Sequence, residues 1–320
     1  MRRREFLMLL SGAAAFPLTA RAQPGKTARV GVLMLGNPDP GLFLRELGEG
    51  LRESGYVEGQ NITLELRNAK GSTTALKTLA SELVALKVDV IVGFQTPAVV
   101  AAKEATTEIP IVMCPAADPI GTGLVASFAR PGGNITGMTT ATAELAGKNL
   151  DLIREALPAV RRVGVIGNAL DPFNKPFLEY VAGAARALRF ETKIVLSRGA
   201  DGLVAAFAEI VKGGVEAVMV QPSLPRELAA ETALKNHLPL FVPSAEFAQA
   251  GALMAYSADI GAVYRQSATF VDKIIKGRKP ADLPVELATK FVLIINLKTA
   301  TALGLTMSPT LLNRADQVIE

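Results

Sequence analysis

Two dipeptides in this chain set a helix-capping side chain directly before a proline: Thr96-Pro97 and Asp118-Pro119. Proline suits the first helical position, and a Thr or Asp before it can accept from the open N–H groups of the first turn. Each dipeptide follows a short apolar run, 88–93 and 110–113, of the kind that forms a buried strand. A helix starting at a strand's carboxyl end presents unpaired N–H groups and the positive end of its dipole, which together receive a carboxylate or another anion. The Thr96 hydroxyl would add a donor there, and the Asp118 carboxylate would instead neutralise an ammonium group. Plain capping, without any ligand, is the alternative reading of both residues.

Further polar residues fall at the same kind of position. Asn37 and Asp39 follow the first strand, and Gln95 stands beside Thr96 after the third. In the second half, Asn168 and Asp171, then Gln221 and Ser223, then Ser244 with Glu246 follow successive strands. Asn168 and Asp171 equally fit a polar turn of the N-x-x-D-P type, and Ser244 with Glu246 equally fits a helix start. Tyr256 could stack on a planar ligand or simply pack between the halves. These eleven residues (Asn37, Asp39, Gln95, Thr96, Asp118, Asn168, Asp171, Gln221, Ser223, Ser244 and Tyr256) are the expected ligand contacts.

No catalytic set emerges beside them. Neither half carries G-x-G-x-x-G or G-x-x-x-x-G-K-[ST] after its first strand, and no G-x-S-x-G occurs. The chain has one Cys and one His, so neither an internal disulfide nor a multi-histidine metal site can form. His237 precedes a strand and so belongs at the end away from the strand-end loops. Trp is absent and aromatic residues make up 5% of the chain, which argues against a cage of several aromatic rings. No catalytic residue, metal or cofactor is expected.

The elements that must position these residues alternate along the chain. Continuous β-branched runs such as 29–35, 88–93 and 110–113 alternate with amphipathic runs such as 42–54 and 75–86, the pattern of βαβ units around a mostly parallel sheet. After residue 160 the plan begins again. Arg162-Val163-Gly164-Val165 echoes Arg29-Val30-Gly31-Val32, Val215-Glu216-Ala217-Val218 echoes Val88-Asp89-Val90-Ile91, and Leu238-Pro239-Leu240-Phe241 echoes Ile109-Pro110-Ile111-Val112. Three matches in one order and at nearly constant offset indicate duplication. The expected fold class is therefore α/β, with two doubly wound parallel-sheet lobes joined by a three-segment hinge. Loops at the carboxyl ends of parallel strands form the ligand crevice of such sheets, and two facing lobes would share one cleft. Residues 134–138, 252–256 and 279–286 read as the crossings. They place 28–138 with 257–284 in the first lobe and 139–256 with 285–320 in the second.

Residues 1–22 read as a cleaved export signal rather than as fold. Arg2-Arg3-Arg4 precedes an apolar stretch over 6–18, and Ala20-Arg21-Ala22 is a small-x-small cleavage pattern. The stretch is too short to span a bilayer, which takes about 20 residues. Arg3-Arg4-Glu5-Phe6-Leu7 also fits the twin-arginine pattern. The segment holds four of the chain's 34 basic residues and one of its 30 acidic ones, leaving 30 and 29 after cleavage. So balanced a chain carries no electrostatic footprint for nucleic acid or a membrane surface. The mature protein is expected to be free in the periplasm, without membrane insertion.

The sequence also resembles a known family, across essentially all of the mature chain. The stretches that carry the resemblance are Gly50-Leu51-Arg52-Glu53-Ser54-Gly55-Tyr56-Val57-Glu58-Gly59-Gln60-Asn61, Ala116-Ala117-Asp118-Pro119-Ile120-Gly121, Ala129-Arg130-Pro131-Gly132-Gly133-Asn134-Ile135-Thr136-Gly137 and Lys276-Gly277-Arg278-Lys279-Pro280. They resemble the ABC-transporter substrate-binding proteins related to the tryptophan/tyrosine-binding type. The resemblance implies a type I periplasmic-binding fold, no catalysis, and partnership with an ABC permease and its ATPase. A monomer is expected, capturing a small-molecule solute, an amino acid or a related compound, in the cleft between its lobes. A periplasmic sensor docking on a membrane signalling protein is the alternative role. A repressor would need a DNA-binding helix pair where the export signal stands.

Overall fold

The computed structural model describes residues 27–36 and 40–320; Asn37, Asp39 and the expected export signal lie outside the described residues. In chain order, β1 (Ala28–Met34), α1 (Gly41–Glu53), β2 (Ile62–Asn68), α2 (Thr73–Ala85), β3 (Val90–Phe94), α3 (Thr96–Ala105), β4 (Ile111–Ala117) and β5 (Ile135–Thr140) build the first lobe. The chain then crosses into α4 (Thr142–Ala156), β6 (Arg162–Asn168), α5 (Asn174–Ala187), β7 (Glu191–Ser197), α6 (Ala200–Lys212), β8 (Ala217–Val220), α7 (Arg226–Lys235), β9 (Leu240–Val242), α8 (Ala245–Gln249) and β10 (Met254–Ala258). α9 (Ile260–Ile275), a 3-10 turn at Pro280–Asp282 and β11 (Glu286–Leu287) return to the first lobe. β12 (Phe291–Asn296), α10 (Leu297–Ala302), α11 (Pro309–Arg314) and β13 (Gln317–Ile319) finish the second.

Two sheets result, ordered β11-β5-β4-β3-β1-β2 and β13-β12-β10-β9-β8-β6-β7. Five strands correspond in order between the sheets, β5-β4-β3-β1-β2 against β10-β9-β8-β6-β7, and all of these pairings are parallel. The β-branched runs become strands because each is buried on both faces, as parallel sheets covered by helices require. In the first lobe, Val30, Val32, Val90 and Val92 face α1 and α9, while Leu33, Ile91 and Ile111 face α2 and α3. In the second, Val163, Val165 and Met219 face α4 and α5, while Ile166, Val218 and Val220 face α6 and α7.

The crossings run further than expected from the sequence. Sheet pairing continues to Thr140, Ala258 and Leu287, because β5 pairs with β4 and β11, and β10 with β9 and β12. Expected lobe limits at 138, 256 and 284 thus fall inside or just short of paired strands. The helix read at Pro119 does not form, because Asp118 adopts φ +37 and closes a turn instead. Its carboxylate accepts the Gly121 N–H at 2.9 Å, and its backbone oxygen accepts from Thr122.

At the second crossing, Asp259 caps α9 by accepting the Ala262 N–H at 3.1 Å. Asp259→Ala should cost about 1 kcal/mol, the usual worth of such a cap. A melting temperature within 1 °C of the parent would show that the cap does not hold the helix start.

Candidate ligand-binding site

Topology decides where the polar strand-end residues meet. In each sheet the order reverses beside the first strand, between β1 and β3 and between β6 and β8, and crevices open at such switch points. The loops after β3, β6, β8 and β9, with Pro115 and Ala117 of β4 itself, border a cavity of about 90 Å³ walled by both lobes. That volume exceeds what a single water needs, about 10–15 Å³ on the same kind of measure.

The floor in the second lobe is a closed polar network. Asp171, 6% exposed, accepts the Phe173 N–H at 2.9 Å with Oδ1 and the Gln221 amide at 2.8 Å with Oδ2. The Gln221 carbonyl accepts the Asn168 N–H at 2.8 Å, and the Asn168 amide donates to the Ser223 hydroxyl at 3.1 Å. Every member is thereby oriented, which fixes the geometry of a buried polar group. Burial pushes the Asp171 carboxyl above its ordinary value, with hydrogen bonds from Ser223, Phe173 and Gln221 opposing it. The carboxylate therefore gains from any cation brought to it.

The opposite wall comes from the first lobe. Gln95 has φ +71 and ψ 152, a region almost reserved for glycine, and its amide reaches the Pro222 carbonyl across the cleft at 3.5 Å. Such strain persists where surrounding structure holds it, and here the Gln95 N–H is bound to the Pro115 carbonyl. The Thr96 hydroxyl, expected to cap α3, accepts instead from the Ala117 N–H at 3.0 Å. Neither N-cap residue, Gln95 for α3 nor Ala141 for α4, makes a side-chain capping bond, and both helices begin at the cavity with Thr96 and Thr142.

Apolar groups make up much of the remaining lining: Phe94, Phe173, Leu145, Ile260, Pro115 and Pro243. Among the described residues the lining holds two carboxylates, Asp171 and Glu246, and no basic side chain. The two differ in environment. Burial pushes Glu246 up as well, and Arg226, 3.2 Å away, offsets only part of that rise.

The structure thus brings Gln95, Thr96, Asp171, Gln221, Ser223 and Ser244 together at one cavity. Ser244 precedes α8, but its hydroxyl makes no capping bond. Asn168 sits behind the wall and orients Ser223. Asp118 and Tyr256 are placed elsewhere. Asp118 is occupied by its own turn, and the Tyr256 ring stacks on Phe291 at 6.1 Å beside a separate surface hollow with Lys148 and Arg314. Sequence reasoning missed Thr140, Thr142, Ser257 and Tyr264, which line the cavity from the two crossings and the start of α9. His237 is exposed at the end of α7. The Cys114 thiol is fully buried and pushed up to about 12 by desolvation, so it supplies no nucleophile.

Known proteins resemble this chain in sequence and fold. A family model described as ABC transporter substrate binding protein matches residues 40–319. A tyrosine-binding protein of Clostridioides difficile is 27% identical over 266 residues, covering 80% of this chain and 75% of its own. An ABC domain in complex with L-Trp from Streptococcus pneumonia superposes with a TM-score of 0.85 at 25% identity, covering 92% of this chain and 100% of that one. A conserved domain protein from Vibrio cholerae does so with a TM-score of 0.86 at 27% identity and the same coverage.

Proposed function

Because the chain belongs to the ABC transporter substrate-binding proteins, matched over residues 40–319, we propose that it is the receptor of an importer and that its solute is an amino acid with an apolar or aromatic side chain. The observation that carries this reading is Asp171, a buried, fully oriented carboxylate with no basic side chain in the described lining to neutralise it. An α-ammonium group answers it directly, since burying such a charge without a partner is costly. The uncapped starts of α3 and α4 offer positive dipole ends to the α-carboxylate. Phe94, Phe173 and Leu145 offer apolar surface to the side chain. The tyrosine-binding relative and the tryptophan-bound structure support the same solute class.

The role is capture without catalysis. The lobes close as the solute bridges them, because a ligand favours a conformation only by binding it better than the alternative. The closed face then meets an ABC permease, which its ATPase drives. The fold acts in the periplasm after removal of residues 1–22, in keeping with the absence, among the described residues, of any helix long and apolar enough to cross a membrane.

A thermal-shift series on residues 23–320, followed by calorimetry, tests this with L-Trp, L-Tyr, L-Phe, L-Leu, D-ribose and succinate. An apolar or aromatic L-amino acid at 100 times its Kd should stabilise the fold by about 2.7 kcal/mol. Stabilisation by ribose or succinate alone would overturn the amino-acid reading while leaving the receptor fold in place.

A further inference from the structure

Tyr264 lies on the fifth residue of α9, where the helix leaves the second crossing and docks on the first lobe. Its ring is 0% exposed and held edge-on by Phe43 at 5.0 Å and Phe94 at 5.7 Å, so its direction is fixed by packing. The residue lines the interlobe cavity, and its buried hydroxyl has no hydrogen-bond partner among the described residues. Buried tyrosine hydroxyls normally find one, and a donor left unpaired costs more than a made bond contributes. Phe94 immediately precedes Gln95 and Thr96, so the ring adjoins the start of α3. The nearby Glu246 carboxylate is already paired with Arg226. Desolvation, reinforced by Glu246, holds the phenol well above its ordinary range and keeps it a neutral donor.

We propose that the Tyr264 hydroxyl donates a hydrogen bond to the α-carboxylate of the bound amino acid, from the first lobe and beside the start of α3. This rests on the amino-acid reading above and assigns a ligand atom to a residue outside the strand-end loops. With Asp171 holding the ammonium from the second lobe, the two ends of one zwitterion are gripped from opposite sides of the cleft. A ligand lacking the carboxylate keeps one grip and loses the other.

The test is calorimetry of the parent and Tyr264→Phe with L-tryptophan, tryptamine, L-tyrosine and tyramine, together with ligand-free melting of both proteins. The parent should bind the amino acids at least 10-fold more tightly than their decarboxylated amines. Tyr264→Phe should lose about 10-fold for the amino acids, change less than 2-fold for the amines, and melt without ligand at or above the parent's temperature. A variant that binds both classes as the parent does, or melts several degrees lower without ligand, overturns the contact, the second because the hydroxyl would then have an internal partner. A parent that binds none of these four, and neither L-Phe nor L-Leu, removes the amino-acid reading and this contact with it.

Discussion

Replacing Asp171 by asparagine should weaken amino-acid binding by about 30-fold to 1,000-fold, the equivalent of about 2–4 kcal/mol, and leave the ligand-free protein folded. The carboxylate is the one charge in the cavity that the described lining leaves uncompensated, so the ligand's ammonium would lose its only counter-charge there. The new side chain keeps the shape of the old and can still accept the Phe173 N–H, but its amide nitrogen cannot accept from Gln221, and it can donate to Gln221 only if that amide turns over and gives up Asn168. The fold therefore trades one hydrogen bond against relief from a buried charge, and the ligand-free melting temperature should stay within a few degrees. Calorimetry separates the two effects, and a variant that binds as tightly as the parent would remove Asp171 from the site.

The same residue sets a pH dependence. Burial raises the Asp171 carboxyl above its ordinary 3.8, so its ionised form costs the folded state free energy. Ligand-free stability should accordingly rise, through this residue, as the pH falls from neutral through the raised value. Affinity for an ammonium should fall over the same window, because the protonated carboxyl no longer opposes a positive charge. Asp171→Asn should flatten both trends.

The largest loss of stability is expected from Gly137→Ala. Gly137 lies in β5 with φ +124, and a Cβ there would come within 2.5 Å of both the amide nitrogen and the carbonyl oxygen of Met113 in β4. Those are backbone atoms in a paired strand, so no side chain can rotate away to make room. Backbone strain and overpacking each contribute about 1–3 kcal/mol, so a cost of about 3 kcal/mol or more is expected. At about 2–4 °C per kcal/mol for a chain of this order, that lowers the melting temperature by at least about 6 °C. A change below 1 °C would mean that the two strands separate easily at that point.

Much of the architecture was legible in the sequence because parallel strands buried on both faces must be written as continuous apolar runs, and this chain writes the same set twice. The candidate site was legible in part for the same reason: strand ends are visible, so Gln95, Thr96, Asp171, Gln221 and Ser223, which line one cavity, could be named from position alone. Asp118 misled because an Asp-Pro pair serves a turn as readily as a helix, and nothing local reveals the positive φ that decided it. Tyr256 misled because alternation along a strand does not say which face of β10 meets the cleft. Tyr264 was invisible for a further reason. It belongs to a helix whose other buried residues, Val263, Phe270 and Val271, serve the core, and only the docking of that helix brings Tyr264 into the cavity lining.

The exchange of helices between the halves also dictates the order in which the molecule can be completed. α9 follows a strand of the second sheet yet covers α1, with Arg265 reaching Glu46 across 219 positions of sequence. As the chain is made, Phe43 and Phe94 must therefore wait for Tyr264 and Phe270, and the first-made half has no finished interior of its own. Long-range closure of this kind is slow, and it leaves apolar surface uncovered in the interval. The two halves look like separable bodies in the finished molecule, yet they can only mature together.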